Sequence, residues 1–554
     1  MIAFIFDLYL VKQGRFSQPF VSSSIFPCPY SESTDMLFEP LKQTGGMIAH
    51  KAFGMHRIAR YLSSFQLLCL LALAFFLLSS RSVYDGGSSS GTGTSYFSGL
   101  FETRHPIERL ILEWTRKHQE FVRRQSKTPE EAIKAYKKRY KRNPPPGFAR
   151  WAKYAIAQNS SVIDDFDIIE ERIAPFREIT PFDLWRRIRL FQDTAGSFGT
   201  VTIADGKSRG DDRLPRSIED IIDQLPDIEL LYTWLDEPRV IGIDTGNNKI
   251  EVEELKGKDA WSILTEKCHF TPESERQWKG RTDPKIKYVD DPKKALDICS
   301  HPEYRDKHGF FNSPSNFPSV RNLVPVFACA TMSTMSDIIA PGLDYINPGY
   351  LGDKNGDPVP YSEKKAQMYW KAWSTGSEFK LDTYKTNHRV RFVEKFGKHP
   401  MFNIGFSRYV QCGDICSKLE ELVGLVPNDD AKVGFQYKFA MDIDGNGYSG
   451  RYYRLLQSNC LVFKQTMWEQ WHDDRLFPWV HYIPVSLGLD ELESMVDYFA
   501  NDPKGIVYGE KIAEQGKLWS KQVLRPVDIT IYTYRLLLEY ADLFDEKRVV
   551  KEPM

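Results

Sequence analysis

The stretch from Phe435 to Val485, FQYKFAMDIDGNGYSGRYYRLLQSNCLVFKQTMWEQWHDDRLFPWVHYIPV, leaves a chain little freedom of fold. Phe435 to Met441 alternates and is rich in aromatic side chains, which is the pattern of a strand. Asp444-Gly445-Asn446-Gly447 follows, a set of residues that tolerates a sharp turn at positive φ. Ser449 then stands where a helix N-cap belongs, with Arg451 in the first turn. Tyr452, Leu455 and Leu456 recur at helical spacing, and Leu461 to Phe463 resumes as a strand. A β-turn-α-β unit of this kind belongs to an open α/β sheet. There, ligands sit at the carboxyl ends of strands, and backbone N–H groups with a helix N-terminus favour a phosphate. Arg451 reaches the same place.

A calcium motif competes for these residues. Asp442, Asp444, Asn446 and Gly447 match the first half of an EF-hand loop, but the twelfth position is Tyr453 where a bidentate glutamate is required, and a strand precedes the loop. Asp442 and Asp444 also spell the D-x-D that some sugar-transferring enzymes use for a metal. Two aspartates capping a turn account for them as well, and no metal is expected.

The 554 residues are 42% hydrophobic and 13% aromatic, enough for packed cores in more than one domain, and the formal net charge of -1 gives nucleic acid no basic surface to find. Tyr61 to Ser80 is uncharged and has the length of about 20 residues that spans a bilayer as a helix. Lys51, Arg57 and Arg60 precede it closely, so positive-inside asymmetry predicts a type II signal anchor with a lumenal body in the Golgi or endoplasmic reticulum. Residues 1–60 form the cytosolic tail on this reading and 81–143 the stem, whose Gly86 to Gly99 is a flexible spacer. Of eight cysteines, Cys268, Cys299, Cys329, Cys412, Cys416 and Cys460 fall on the lumenal side, where structural disulfides are expected. Asn159-Ser160-Ser161 is an N-glycosylation sequon.

Along the body, Ile107, Leu110, Ile111 and Trp114 make a helical stripe, and Thr128-Pro129-Glu130-Glu131 opens a basic helix with a capping box. Val201 to Ala204 reads as a strand ending in an Asp205-Gly206 turn. Ile228 to Trp234 is an apolar strand that leaves Asp236 at its carboxyl end, where α/β folds put catalytic groups; capping the turn before Pro238 is the plainer role. Gly242 to Lys307 reads as an inserted surface region. Val324 to Ala330 is a buried strand followed by Thr331 to Thr334 and Asp337. Gln367 to Trp370 begins a second α/β half, and Lys371, Ser374 and Thr375 after it offer a charge and exposed N–H groups to a phosphate. Asp528 caps a last amphipathic helix through Leu543.

Tyr437-Lys438, the Asp444 to Gly447 turn with Ser449 and Arg451, Leu461-Val462-Phe463-Lys464, and Pro478 to Val485 together resemble the capsule-associated protein family, glycosyltransferase family 90, which includes Rumi-like protein O-glucosyltransferases. PPPGFARWAKYA from Pro144 resembles the start of the catalytic region in fungal-type members, and the likeness runs from Pro144 to Phe544. It implies the two-Rossmann-domain (GT-B) fold: an acceptor domain over 144–360, a nucleotide-sugar domain over 361–525, and a closing helix from 526 to 554. It implies a metal-independent inverting transfer from a UDP-sugar, UDP-xylose or UDP-glucose, to a glycan or glycoprotein. LPDIELLYTWLDEPRV resembles the family segment whose aspartate deprotonates the acceptor, here Asp236. Arg451 matches the diphosphate-binding arginine; Lys371, Ser374, Thr375, Asp444, Ser449, Lys464, Gln470 and His481 follow as donor contacts, and the loop carrying Asp337 as an acceptor or sugar pocket, with hydroxyls capping the next helix as the plainer role of that loop. The sequence departs from the family at Lys371-Ala372, commonly Arg-Gly, and at Gln470-Trp471, commonly Glu-Trp, so a member that binds without transferring is the alternative.

Overall fold

The computed structural model describes residues 105–194, 198–210, 217–233, 235–243, 249–270, 287–342, 345 and 356–546. Among the described residues no helix is long and apolar enough to cross a membrane. The fold class is corrected accordingly: the described residues are α/β, with no membrane-spanning helix among them. The tail at 1–60, the span at 61–80 and the first part of the stem lie outside the described residues.

From Pro106 the segment expected as stem is helical and packed. Helix α1 (Pro106–Arg124) buries Ile107, Leu110 and Ile111 in the core of the second sheet, while α2 (Pro129–Tyr140) buries Ala132 and Tyr136 in that of the first. At α2 Thr128 caps the helix by accepting from the Glu131 N–H, while Glu131 accepts from the N–H of Lys127, one residue before the cap, in place of the reciprocal bond of the expected capping box. Helices α3 (Phe148–Ala157), α4 (Asp167–Ile173) and α5 (Pro181–Thr194) complete the N-terminal layer.

The first sheet contains β1 (Phe198–Ala204), β2 (Lys207–Gly210), β3 (Ile228–Thr233), β6 (Val326–Ala328) and β7 (Ile338–Ile339) in the order β2-β1-β3-β6-β7. It is mixed, unlike the parallel sheet that two Rossmann-like domains imply. Asp205 and Gly206 both take left-handed φ, 51° and 67°, which folds β1 back on β2 as a two-residue hairpin, and β1 runs antiparallel to β3. Only β3, β6 and β7 are parallel. Between β3 and β6 lie the small pair β4 (Val252–Glu254) and β5 (Pro318–Val320), a core of Leu255, Trp261, Phe310 and Phe311, and a Cys268–Cys299 disulfide, so part of Gly242 to Lys307, read as a surface insertion, is packed.

The second sheet is parallel throughout: β12 (Ile483–Val485), β11 (Leu461–Gln465), β10 (Tyr437–Ile443), β8 (Lys365–Trp373) and β9 (Phe402–Arg408), in that order. This is a doubly wound order that reverses between β8 and β10, and β10 and β11 are buried on both faces as such strands must be. Helices α6 (His388–Phe396), α7 (Cys416–Val423), α8 (Tyr452–Leu456), α9 (Leu492–Asn501) and α10 (Pro503–Val523) surround it. Helix α11 (Pro526–Ala541) returns to the first sheet. Its residues Asp528 to Tyr540 are buried all round, so it is a central helix and not the amphipathic one its sequence suggests. Tyr532 donates to the Ile339 carbonyl and Tyr540 to that of Glu229, each at 3.0 Å.

Candidate functional site

Both sheets direct their carboxyl edges at the same place. On the first, Asp236 follows β3; it is solvent-accessible, although protein surrounds it closely enough to push its carboxyl up by desolvation. On the second, the turn after β10 comes so near that a Cβ on Gly447 would lie 2.0 Å from the Asp236 carbonyl oxygen. Neither Gly445 nor Gly447 takes the positive φ expected of this turn. Gly447 is required by close approach, and the left-handed glycine at this edge is Gly376, φ 115°, whose N–H donates to Asn446 Oδ1 at 2.9 Å.

Arg389 clasps the reversal point. Its guanidinium donates to the carbonyls of Trp373, Ile443 and Asp444, joining the ends of β8 and β10. His388 and His308 stack beneath at 3.6 Å between ring centroids, both held neutral because burial lowers their pKa well below 6.5. Asp444 belongs to this support: its carboxylate accepts from the Met467 N–H at 2.8 Å and its carbonyl from Arg389 and His388, and burial pushes its carboxyl up to about 7. Ser374 serves likewise, exchanging hydrogen bonds with the Val410 backbone, while Thr375 Oγ1 lies beside Gly445.

Arg451 stands apart from these braces. The only hydrogen bond of its side chain among the described residues is a long one, 3.4 Å, to the Lys371 carbonyl. Its guanidinium lies over the Trp370 ring, and buried Nη2 has no partner. A buried cation with an unused donor is expensive unless an anion comes to it. Lys371, by contrast, already pairs with Asp429 at 2.6 Å. Ser449 does not cap a helix; its hydroxyl donates to Asp442 Oδ1 at 2.5 Å, and Lys464 holds Asp442 Oδ2 at 3.1 Å. Helix α8 has five residues and begins after Arg451, too short for its dipole to supply the phosphate site its sequence suggested. Asp442 and Asp444 are therefore both engaged, and Tyr453, at the twelfth calcium position, is buried and shares a hydrogen bond with His472. Among the described residues no group of three or more His, Cys, Asp or Glu is arranged to hold a metal.

Three expected contacts lie elsewhere. Asp337 is fully buried and its two oxygens accept from the N–H groups of Arg239 and Val240 at 2.8 and 2.9 Å, bracing the segment just after Asp236; desolvation pushes its carboxyl up to about 7. His481 is a core residue, its ring stacked on Trp519 and its Nδ1 accepting from the Phe477 N–H. Gln470 is buried and accepts from the Tyr345 hydroxyl. Its neighbour Glu469 faces a cleft of about 320 Å³ between α1, α4 and the ends of β11 and β12, together with Trp114, Lys464, Asp473 and Tyr482. Asn159 is exposed just past α3. Sequence reading missed this cleft, and also missed Glu237. Glu237 lies buried beside Asp236 with Ser315 donating to it at 2.8 Å, its carboxyl pushed up to about 8 by burial and then by the Asp236 charge.

Two α/β sheets thus meet edge to edge, with the Asp236 carboxylate on one and, at the reversal point of the other, the Arg451 guanidinium, which has no carboxylate partner among the described residues. Residues 314–554 match the family model described as glycosyl transferase family 90. Asp236 precedes the matched region. The chain is similar to protein O-glucosyltransferase 3 of Mus musculus, 32% identical over 22% of this chain and 24% of the relative. It is similar as well to O-glucosyltransferase LpsA of Dichelobacter nodosus, 24% identical over 33% and 51%, and to protein O-glucosyltransferase 1 of Homo sapiens, 33% identical over 19% and 26%. The chain thus spans about a quarter of the two mammalian relatives and about half of the bacterial one.

Proposed function

We propose that the chain is an inverting glycosyltransferase that moves a sugar from a UDP-sugar to a hydroxyl of a glycan or glycoprotein. The observation that carries this reading is the contact of the Asp236 backbone with Gly447, which brings a carboxylate on the first sheet to the donor edge of the second. Asp236 takes the proton from the acceptor O–H as that oxygen attacks the anomeric carbon, and the nucleoside diphosphate leaves from the opposite face. Desolvation raises its carboxyl above the ordinary carboxylate value, which strengthens it as a base. Arg451 meets the charge developing on the diphosphate with the N–H that has no protein partner. Inversion of an α-linked donor gives a β-linked product. Relatives named O-glucosyltransferases favour UDP-glucose over UDP-xylose, and the two disulfides favour an oxidising compartment of the secretory pathway.

The test is UDP release by the chain from UDP-glucose and UDP-xylose, with Asp236→Asn and Arg451→Ala alongside. Release from one donor that Arg451→Ala abolishes supports the reading, and release unchanged in both variants refutes it. The Lys371–Asp429 pair favours a second reading, a member that binds without transfer, because it removes a cation from the donor edge. UDP binding with no turnover of either donor selects that alternative.

A further inference from the structure

A second, smaller cavity of about 250 Å³ opens beside the β6–β7 connection, lined by Lys267, Arg172, Ser333, Thr334, Ser336 and Glu171 among others. Its charges do not balance internally. Arg172 is engaged by the Glu469 carboxylate and by the carbonyls of Met332 and Met335, and Glu171 is engaged by Lys293. Lys267 has no carboxylate partner among the described residues; its ammonium donates to the Ile241 carbonyl at 2.5 Å and to Ser336 Oγ at 3.4 Å. Burial and then Arg172 lower its pKa, opposed by Asp337 and Glu266. Thr334, itself 6% exposed, carries a buried hydroxyl with no hydrogen-bond partner among the described residues. Buried polar atoms are normally satisfied, so an ammonium without a counter-ion and an idle hydroxyl in one polar cavity signal a missing acceptor.

The site is built and not incidental. The Cys268–Cys299 disulfide fixes the segment that carries Lys267 next to residue 298, whose N–H donates to Ser333 Oγ at 3.1 Å. Ser336 is tied by its N–H to the Val240 carbonyl at 2.8 Å, and a Cβ on Gly242 would lie 2.2 Å from Ser336 Oγ. The cavity therefore lies against the segment that leaves Asp236, on the carboxyl side of the first sheet. Glu171 also lines the larger cleft, and Glu469, the partner of Arg172, lines it too, so the two hollows share a wall.

We infer that this cavity is an oxyanion subsite in which Lys267, Arg172 and the Ser333, Thr334 and Ser336 hydroxyls hold an acidic substituent of the acceptor, a sugar carboxylate or a phosphate. This rests on the transferase reading for the word acceptor, but the anion site stands on its own geometry. An acidic group seated here anchors the acceptor beside Asp236 while its neutral sugars extend along the aromatic and carboxylate-lined cleft. A carboxylate or phosphate supplies the acceptor atoms that Lys267 and Thr334 lack, and charge-assisted bonds of this kind are about twice as strong as neutral ones.

The experiment is calorimetric titration of the full chain with inorganic phosphate, with sodium glucuronate and with glucose at constant ionic strength, repeated on Lys267→Met, Lys267→Arg and Thr334→Val. Glucuronate binding that glucose does not reproduce, weakened at least tenfold by Lys267→Met and partly restored by Lys267→Arg, is the expected result. Thr334→Val, which adds no charge and keeps its volume, weakens binding several-fold and carries the test if Lys267→Met does not fold. Equal binding by the unaltered chain and these variants overturns the site. Binding of phosphate without glucuronate supports the site and selects a phosphate over a sugar carboxylate as the substituent it holds. Release of UDP by the unaltered chain is measured in parallel; its absence removes the transferase reading and leaves the anion result to be judged by itself.

Discussion

The Asp236 carbonyl oxygen and the α-carbon of Gly447 are in contact across the two sheets, leaving no room for any side chain at position 447. Gly447→Ala puts a methyl group 2.0 Å from backbone, and neither partner is the flexible end of a side chain. Overpacking of this sort costs about 1–3 kcal/mol. The expected outcome is a lowered melting temperature together with loss of UDP release, since the loop must retreat and take Asp236 with it. Alanine at Gly356, where a Cβ meets nothing within 4 Å but φ is 65°, reports strain without the clash. UDP release that survives Gly447→Ala counts against the meeting of the two edges as the site.

Asp236→Asn keeps the shape of the side chain and removes the proposed base. Loss of a general base reduces turnover by roughly 10²–10⁴-fold. Desolvation raises the Asp236 carboxyl, so the unaltered chain gains activity as pH rises through a value above the ordinary 3.8. The Asn variant lacks that limb of the pH profile while its unfolding curve is unchanged. A pH profile of the same shape in both assigns the proton transfer to another group.

Much of this was legible in the sequence because it is local. Aromatic alternation from Phe435 marks β10, the capping box marks α2, and Asp205-Gly206 marks the hairpin turn. What was not legible depends on partners far along the chain. Gly447 looks like a turn glycine and is a contact glycine, because the atom it must avoid belongs to Asp236. Lys371 reads as a free cation until Asp429 folds onto it. His481 and Gln470 are polar residues in a motif-rich stretch, but the core closes over both, and the exposed role passes to Glu469. Asp337 sits in a loop with the composition of a binding loop, and its two backbone partners make it a brace.

Glu237 couples the site to stability through pH. Its carboxyl is pushed from 4.5 to about 8 in the fold, first by burial and then by Asp236. Between those values the folded chain holds a proton that the unfolded chain has released, so unfolding free energy falls as pH rises through that window. Glu237→Gln keeps an acceptor for Ser315 and cannot ionise. Urea midpoints at pH 5 and pH 8.5 differ less in the Gln variant than in the unaltered chain, and the gap between the two proteins opens on the alkaline side. A gap that opens toward acid pH excludes a buried, neutral Glu237.

Reduction of the disulfides tests the satellite region. Cys268 and Cys299 are separated by 31 residues and Cys412 and Cys416 by 4, so the first restricts the unfolded chain far more. Loss of the longer crosslink costs about 2–4 kcal/mol. Paired Cys268→Ser and Cys299→Ser substitutions lower the melting temperature more than the corresponding pair at Cys412 and Cys416. Equal effects of the two pairs mean that strain or contacts outweigh loop closure here.

Arg451 and Lys371 separate the donor readings. Both were expected at the diphosphate, yet only Arg451 retains an unused N–H and no carboxylate partner among the described residues, whereas Lys371 is held by Asp429. Arg451→Ala therefore removes protection of the chain by UDP against heat and lowers kcat/KM by roughly 10²–10³-fold, the scale for one donor to developing charge. Lys371→Met gives up an ion pair of which both partners are partly exposed, which is worth about 0–1 kcal/mol, and weakens UDP binding little. Asp429→Asn frees Lys371 and strengthens UDP binding if the ammonium then turns to the ligand. A Lys371→Met variant as defective in UDP binding as Arg451→Ala means that Asp429 releases the lysine when donor arrives, and the pair is then a latch on the donor edge.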